Sequence, residues 1–251
     1  MRPLLAGLMC SLAACLHANT AAEPAAITLE EIIARNTAAM GGAAAIENVR
    51  AMEVHLHISD PGQFEVDGVY RAARPGRMRI DIMADGKRVY MERFDGEKGW
   101  QWQQGKGEQE EGATPTAALR HGVELPGNLF GLHEVQQRGH RLVLSGREQI
   151  EDVDYYVLQM TFSDRDETKL YVDPSSWRIT RRRDLRALHP DIDPTPTTIE
   201  SRKSDWRQVS GVWFAFATED VDVETGKVLE RAKIKEIKVN PTLDTAIFAK
   251  P

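Results

Sequence analysis

Two histidines stand two residues apart in a segment where apolar and polar residues alternate. His55 and His57 lie on the polar side of "MEVHLHIS", and a turn at "SDPG" brings Glu65 of the next segment near them. Two imidazoles and a carboxylate are ligands that zinc or iron accepts. The same three residues are equally typical of solvent-exposed pairs across a hairpin. A metal-dependent enzyme using His55, His57 and Glu65 is therefore kept only as a minor alternative, and we expect no metal and no other cofactor.

Familiar enzyme signatures are missing from the chain. There is no His-Glu-x-x-His, Gly-x-Ser-x-Gly, phosphate-binding loop or dinucleotide fingerprint, and "HEVQQ" at 133 begins like a zinc-peptidase motif and then departs from it. Both cysteines lie within the first 22 residues, so the rest of the chain has no thiol for catalysis or metal binding. We expect no catalytic residue and a protein that is not an enzyme.

The amino terminus has the anatomy of a secretory signal. Arg2 precedes an apolar run and a region of small residues, which predicts a signal peptide at 1–22 and a mature domain at 23–251. The run is too short to span a bilayer. "LAAC" at 12–15 resembles the lipobox of bacterial lipoproteins, which predicts removal of 1–14 and lipidation of Cys15 instead. Both alternatives stay open, and membrane contact would be through this lipid anchor or transient.

Charge argues against a nucleic-acid partner. The chain carries 32 basic and 38 acidic residues and a formal net charge of −6, whereas nucleic-acid binders are typically basic. An arginine-rich segment at 178–186 could meet lipid headgroups or an acidic partner. The acidic run "EDVDVE" at 219–224 favours instead a solvated strand with balanced charges.

The elements that must position these residues are mostly strands. Thr28 predicts the cap of a helix that ends at Gly41-Gly42, a short second helix follows at 43–49, and Thr114 and Pro115 predict the start of another. From Met52 onward the period of apolar residues is two, interrupted only at 111–139. The pattern predicts an α+β, mainly β fold: a single curved antiparallel sheet or incomplete barrel of about 10–11 strands with a few helices on it.

Two tryptophans sit close together in "FDGEKGWQW", 94–102. Asp95-Gly96 predicts a turn, and Trp100 and Trp102 share a face in the strand that follows. They extend a set of apolar residues that either fills a core or lines a ligand cavity. The candidate cavity residues are Val54, Leu56, Ile58, Phe64, Val66, Tyr70, Met78, Ile80, Ile82, Met91, Trp100 and Trp102.

Several motifs, in order along the chain, resemble one exported family. "FDGEKGWQW", "TKLYVDPSSWRITR", "SDWRQVSGVWFAF" and "IKVNPTLDTAIFAKP" are similar to successive hairpins and the ending of the LolA/LolB-like periplasmic lipoprotein-carrier superfamily. The resemblance implies an unclosed half-barrel whose concave face is covered by helices, leaving a hydrophobic cavity for acyl chains, and we expect Trp100 and Trp102 on that face under the helices. One departure is Ala215, where relatives often carry proline after the late Gly-aromatic step.

The resemblance implies a function of binding and release. The leading hypothesis is a carrier or chaperone of lipid or lipoprotein acyl chains in the periplasm, either soluble or anchored to the outer membrane as a lipoprotein. Its partners would be lipid or lipoprotein acyl chains and envelope proteins. The alternative is a non-transporting envelope lipoprotein that serves as a docking platform for proteins and has a filled core.

Overall fold

One antiparallel sheet contains every strand of the described chain. The computed structural model describes residues 27–190 and 193–249. Thirteen strands lie in the order β6-β5-β4-β3-β2-β1-β13-β12-β11-β10-β9-β8-β7, and the two end strands do not pair with each other. The predicted mainly β fold with an unclosed antiparallel sheet is confirmed.

The strands occupy most of the chain after residue 50. In chain order they are β1 (Ala51–Asp60), β2 (Phe64–Ala73), β3 (Arg77–Ala84), β4 (Lys87–Phe94), β5 (Gly99–Gln103), β6 (Gly107–Glu110), β7 (Arg141–Ile150), β8 (Val153–Thr161), β9 (Glu167–Val172), β10 (Ile179–Arg186), β11 (Thr197–Val209), β12 (Val212–Asp222) and β13 (Val228–Val239).

The described strands exceed the predicted 10–11 in number. β6 reads "GEQE" and all four of its residues are exposed. It therefore offers none of the apolar alternation by which a strand is recognised in a sequence. It pairs with β5 at the end of the sheet, and its polar side chains suit an edge strand.

Three helices cover one face of the sheet. They are α1 (Leu29–Ala39), α2 (Ala43–Glu47) and α3 (Ala113–Glu124). The predicted cap of α1 is confirmed, since the Thr28 hydroxyl accepts from the N–H of Glu31 at 3.2 Å. The predicted cap of α3 is wrong: the N-cap is Gly112, and Thr114 lies inside the first turn. No helix in the described ranges has the length and apolar character needed to cross a bilayer.

Turn residues set the register of the first hairpins. Asp85 and Gly86, both at positive φ, connect β3 to β4, as the Asp-Gly pair predicts. The Asp95 carboxylate accepts from the backbone N–H groups of Glu97 and Lys98, each at 2.8 Å. Burial raises the pKa of Asp95, but these bonds and one from Trp100 outweigh it and hold that pKa below its ordinary value.

The helix-covered face, which carries Met52, Val54 and Phe214, divides into two cores. Toward β7–β10, α1 contributes Ile32 to a cluster with Leu158 and Met160, all fully buried. Toward β1–β3 and β11–β13, α3 contributes Leu119 and Val123, the two residues predicted to share its apolar face.

Candidate ligand cavity

A cavity of about 310 Å³ lies between α3 and the sheet. Its volume falls at the lower end of the range for small-molecule sites, about 300–1,000 Å³. The lining is mostly apolar and comes from six strands, α3 and the segment after it. The residues are Met52, Val54, Leu56, Tyr70, Met78, Ala118, Leu119, Gly122, Gly127, Asn128, Lys203, Trp206, Phe214, Ala215, Thr218, Ala232, Ile234 and Ile237.

Small residues on α3 leave this space open. Ala118 and Gly122 lie four apart on the helix, so they share the face that also carries Leu119. A Cβ atom placed on Gly122 would meet no atom within 4 Å. The helix therefore spans the sheet at this point without filling the volume beneath it.

An arginine ties the segment after α3 to the rest of the fold. The Arg74 guanidinium donates to Glu134 Oε1 at 2.5 Å, to the Leu129 carbonyl at 2.6 Å and to the Val49 carbonyl at 2.8 Å. Burial raises the pKa of Glu134, but hydrogen bonds from Arg74 and from the Gly131 N–H outweigh it and keep the pKa below its ordinary value. The segment is thus held by a charge-assisted network rather than by apolar contacts alone.

A second, smaller cavity adjoins the first beneath the same segment. Its volume is about 20 Å³, enough for roughly one water molecule. It shares Gly127, Asn128, Lys203 and Trp206 with the larger cavity. These four residues mark the boundary between the two spaces.

Lys203 is the charged residue among those lining the larger cavity. Its side chain makes no ion pair or hydrogen bond with the described residues. Burial lowers the pKa of Lys203 to about 8, helped by Arg182 and opposed by Asp220. Sequence reasoning missed this residue. The sequence offered only a weak signal: Lys203 lies four positions after the apolar Ile199, so in a strand the two share a side.

Four predicted cavity residues line the cavity. They are Val54, Leu56, Tyr70 and Met78. Burial raises the pKa of the Tyr70 hydroxyl, so this group stays neutral and can donate a hydrogen bond.

Five others follow the same face without lining the cavity. Ile80 pairs with Tyr70 and packs against the surrounding core. The remaining four extend the face toward the far ends of the hairpins, and of these Phe64 is 40% exposed. They are Ile58, Phe64, Val66 and Ile82.

Met91, Trp100 and Trp102 lie on the opposite face. Met78 of the cavity pairs with Phe94, and Phe94 pairs with Gly99. Phe94 and Gly99 therefore face the helices. Since side chains alternate along a strand, Trp100, next to Gly99, points away from the helices, and so do Trp102 and its partner Met91. The space beside Gly99 is occupied by Thr116 and Leu119 of α3, which confirms which side of β5 faces the helix. The expectation that both tryptophans lie under the helices is therefore wrong.

The predicted histidine set does not assemble around a common point. His55 Nε2 lies 2.9 Å from Glu53, while His57 lies 3.0 Å from Asp67 and 3.6 Å from Glu65. Glu53 on the same strand is the partner of His55, and acids of β2 across the hairpin are the partners of His57, so both rings are paired near the surface. In the described ranges the close group of possible metal ligands is elsewhere, at His121, Asp164 and Asp166.

The arginine-rich segment is divided between the two faces of β10. Arg181 and Arg183 pair with the buried Glu200 of β11, at 2.7 and 2.5 Å. Arg186 lies on the other face and pairs with Asp220 at 2.6 Å. Neighbouring acids balance these charges, as the solvated-strand interpretation predicted, although Glu200 takes a larger part than the 219–224 run.

Solved structures identify the architecture. A LolA superfamily protein from Nitrosomonas europaea is similar over 90% of this chain and 99% of its own, with 18% identity and a TM-score of 0.54. The chain has a LolA-like fold. A putative outer membrane lipoprotein-sorting protein domain from Vibrio parahaemolyticus is also similar to this chain. The similarity covers 87% of this chain and 94% of its own, with 11% identity and a TM-score of 0.59.

Comparison of the sequence with family models and with curated proteins finds no significant match. At 11–18% identity the structural likeness establishes the fold alone. What the cavity does must be argued from its own residues.

Proposed function

We propose that this protein is an exported carrier or chaperone that binds the acyl chain of a lipid or lipoprotein between α3 and the sheet. The observation that carries the proposal is the apolar cavity of about 310 Å³ on the helix-covered face. An unfilled apolar space costs stability unless something occupies it. The LolA-like fold and the lipoprotein-sorting name of one similar structure support the same role.

Release would follow movement of α3 and the segment that follows it. α3 packs on the edge half of the sheet, and the segment after it is held by Arg74 and Glu134. Separating them from the sheet would open the cavity without unpairing strands. Binding and release by this movement need no chemical step, so the proposal is a non-enzymatic one.

Filling the cavity from α3 tests the proposal. A phenylalanine at Gly122 enters open space, and replacing glycine by phenylalanine inside a helix adds about 0.5 kcal/mol of helix stability. We expect Gly122→Phe to stay folded and to bind the neutral dye N-phenylnaphthylamine at least about tenfold more weakly, a loss of ~1.4 kcal/mol. Fluorescence titration measures the affinity, and urea unfolding measures the stability.

The matched control is Gly122→Ala. This variant gains about 1 kcal/mol of helix propensity, more than the phenylalanine does, but adds only a methyl group, so dye binding should stay at the wild-type level. A folded Gly122→Phe protein that binds the dye like the wild type would refute the cavity as the binding site. Should that variant unfold, Ala118→Leu supplies a smaller filling group on the same helix face.

Location is a separate part of the proposal. We propose that the protein works in the periplasm, after cleavage at the signal peptide or lipidation of Cys15; both lie outside the described residues. Cells grown with labelled palmitate should incorporate label into the wild type and not into Cys15→Ser if the lipobox is used. An unlabelled wild-type protein would remove the anchor and leave the soluble periplasmic alternative.

The same tests also address the alternative function, a docking platform for proteins. It requires a filled core, and the observed cavity gives it no support. A wild-type protein that neither retains lipid nor binds the dye would favour it over the carrier.

A further inference from the structure

A lysine that forms no ion pair with the described residues lies where the two cavities meet. Lys203 extends from β11, pairs across the sheet with Thr218, and lines both spaces. Its Nζ lies 3.4 Å from the position that a Cβ on Gly127 would take, so the ammonium reaches the backbone of the segment after α3. The ammonium is therefore at the mouth of the apolar volume, on a side chain that is half-buried.

The nearby acids pair with arginines and lie beyond ion-pair distance of Lys203, although Asp220 Oδ1 has no hydrogen-bond partner among the described residues. Asp220, the acid that acts on Lys203, pairs with Arg186 at 2.6 Å, and Arg182 adds a like charge. The Arg182 Nε lies 3.0 Å from Asp184 on the same strand. Even partial burial of an ammonium group without an ion-pair partner is unfavourable. A ligand that carries a negative charge would remove this cost.

The rest of the lining suits a hydrocarbon chain. Apart from Lys203, the polar side chains there are neutral, those of Tyr70, Asn128 and Thr218 together with the Trp206 indole. The cavity therefore combines one charged side chain with a mostly apolar lining. Sites for ligands commonly have this design, in which a few polar groups fix the orientation of the ligand. The volume, at the lower end for ligand sites, favours one chain over several.

We infer that the cavity takes a single-chain amphiphile with an anionic head, a carboxylate or a phosphate, whose oxygens pair with the Lys203 ammonium while the chain lies against α3 and the sheet. This inference rests on the proposed carrier function and narrows its ligand class. Asn128 and Thr218 can donate hydrogen bonds to the same head. A neutral lipid of equal chain length forms no ion pair with Lys203 and binds more weakly.

Three ligands of one chain length test the role of the head. Laurate carries a carboxylate, dodecyl phosphate carries a phosphate, and dodecanol carries neither. Calorimetric titration of the wild type should show one or both anions binding at least about tenfold more tightly than dodecanol, ~1.4 kcal/mol. Comparing laurate with dodecyl phosphate then separates a fatty acid from a phosphate-bearing lipid.

Substitutions at Lys203 test the position of the head. Lys203→Met keeps the unbranched stem and removes the charge, so the preference for the anion should fall to less than about threefold, below ~0.7 kcal/mol. Lys203→Arg keeps the charge and should keep the preference. The matched control is Lys169→Met, an exposed lysine on β9 outside both cavities, which should behave like the wild type.

The results separate this inference from the carrier proposal. Equal affinity for all three ligands would overturn the anionic head and leave the carrier standing. A full preference for the anion in a folded Lys203→Met protein would likewise overturn the assignment to Lys203. Binding of none of the three ligands would overturn both. If Lys203→Met fails to fold, Lys203→Gln and the wild-type comparison with dodecanol keep the inference open to refutation.

Discussion

Both halves of the helix-covered face are covered by a helix, but one is tightly packed and the other contains a cavity. α1 sets Ile32 against Leu158 and Met160, and all three are inaccessible to solvent. α3 sets Ala118 and Gly122 over the other half, where about 310 Å³ stays open. In this protein the open half is the one in which the covering helix presents small side chains to the sheet. Under the proposed function, the α3 half would hold the ligand, while the α1 half is packed.

The largest loss of stability is expected from a substitution on the face of the sheet opposite α3. Trp100 is 7% exposed on the face opposite the cavity. Trp100→Ala should therefore lower the free energy of unfolding by about 3–5 kcal/mol, the range for a buried aromatic residue. Dye affinity of the folded fraction should not change, because the indole lines no part of the cavity. Urea unfolding and dye titration in one buffer measure both quantities.

Selective loss of binding would contradict this assignment. A Trp100→Ala protein with wild-type stability and weakened dye affinity would place the indole in the binding space. Trp102→Ala is the companion variant. Trp102 is partly exposed, with the Arg88 guanidinium 4.4 Å from its ring centre, so its loss should cost less.

A pair of identical substitutions sharpens the comparison of the two halves. Leu158→Ala in the packed half should lower the free energy of unfolding by about 2–5 kcal/mol, because it creates a new void. Leu56→Ala at the cavity wall should cost only about 1 kcal/mol, since that side chain already borders open space and is half-buried. Leu56→Ala should change the dye affinity more than Leu158→Ala does. Equal stability losses in the two variants would contradict the difference in packing.

A smaller effect is expected from pH, through Lys203. Its pKa is about 8 in the folded protein against an ordinary value of 10.5, so between these values the unfolded chain binds more protons. Stability contributed through this group therefore rises with pH across that window. The full pKa shift corresponds to about 3.4 kcal/mol, and because the side chain is only half-buried we expect about 1–2 kcal/mol. The charged groups acting on it are Arg182 of β10 and Asp220 of β12.

Comparing variants isolates this contribution. Urea unfolding at about pH 7 and about pH 10 should show a smaller rise, or a larger fall, for Lys203→Met than for the wild type. Lys169→Met should follow the wild type. The same pH dependence in Lys203→Met and in the wild type would show that Lys203 is not desolvated by the cavity.

Much of the fold was predictable because the deciding interactions are local. The Thr28 cap, the Asp85-Gly86 turn and the alternation in β1–β3 each specify structure over a few residues, and each is found as expected. The polar edge strand β6 was not predictable in this way. Its place depends on pairing with β5 and not on a buried face.

The wrong face for Trp100 has a physical cause. In β4 both faces are buried, since Met91 is 2% exposed on one side and Phe94 is 2% exposed on the other. Alternation therefore cannot tell which side meets the helices. The fully buried Phe248 and its neighbour Ile247, whose carbonyl accepts from Arg79, belong to a carboxyl-terminal segment that covers the outer face near β3.

The cavity itself could not be read from the sequence. It exists because two small residues on α3 face a particular part of the sheet, and this depends on how the segment at 125–135 sets the helix. Lys203 escaped notice for a related reason, because only the assembled fold shows that its side chain meets this space.

Native mass spectrometry of protein purified without detergent tests the central claim most directly. The carrier account predicts a species with one bound lipid chain per protein, removed by organic extraction and absent from Gly122→Phe but present in Gly122→Ala. Repeated isolation of the wild type free of lipid, with no uptake of added laurate, dodecanol or dye, would contradict it.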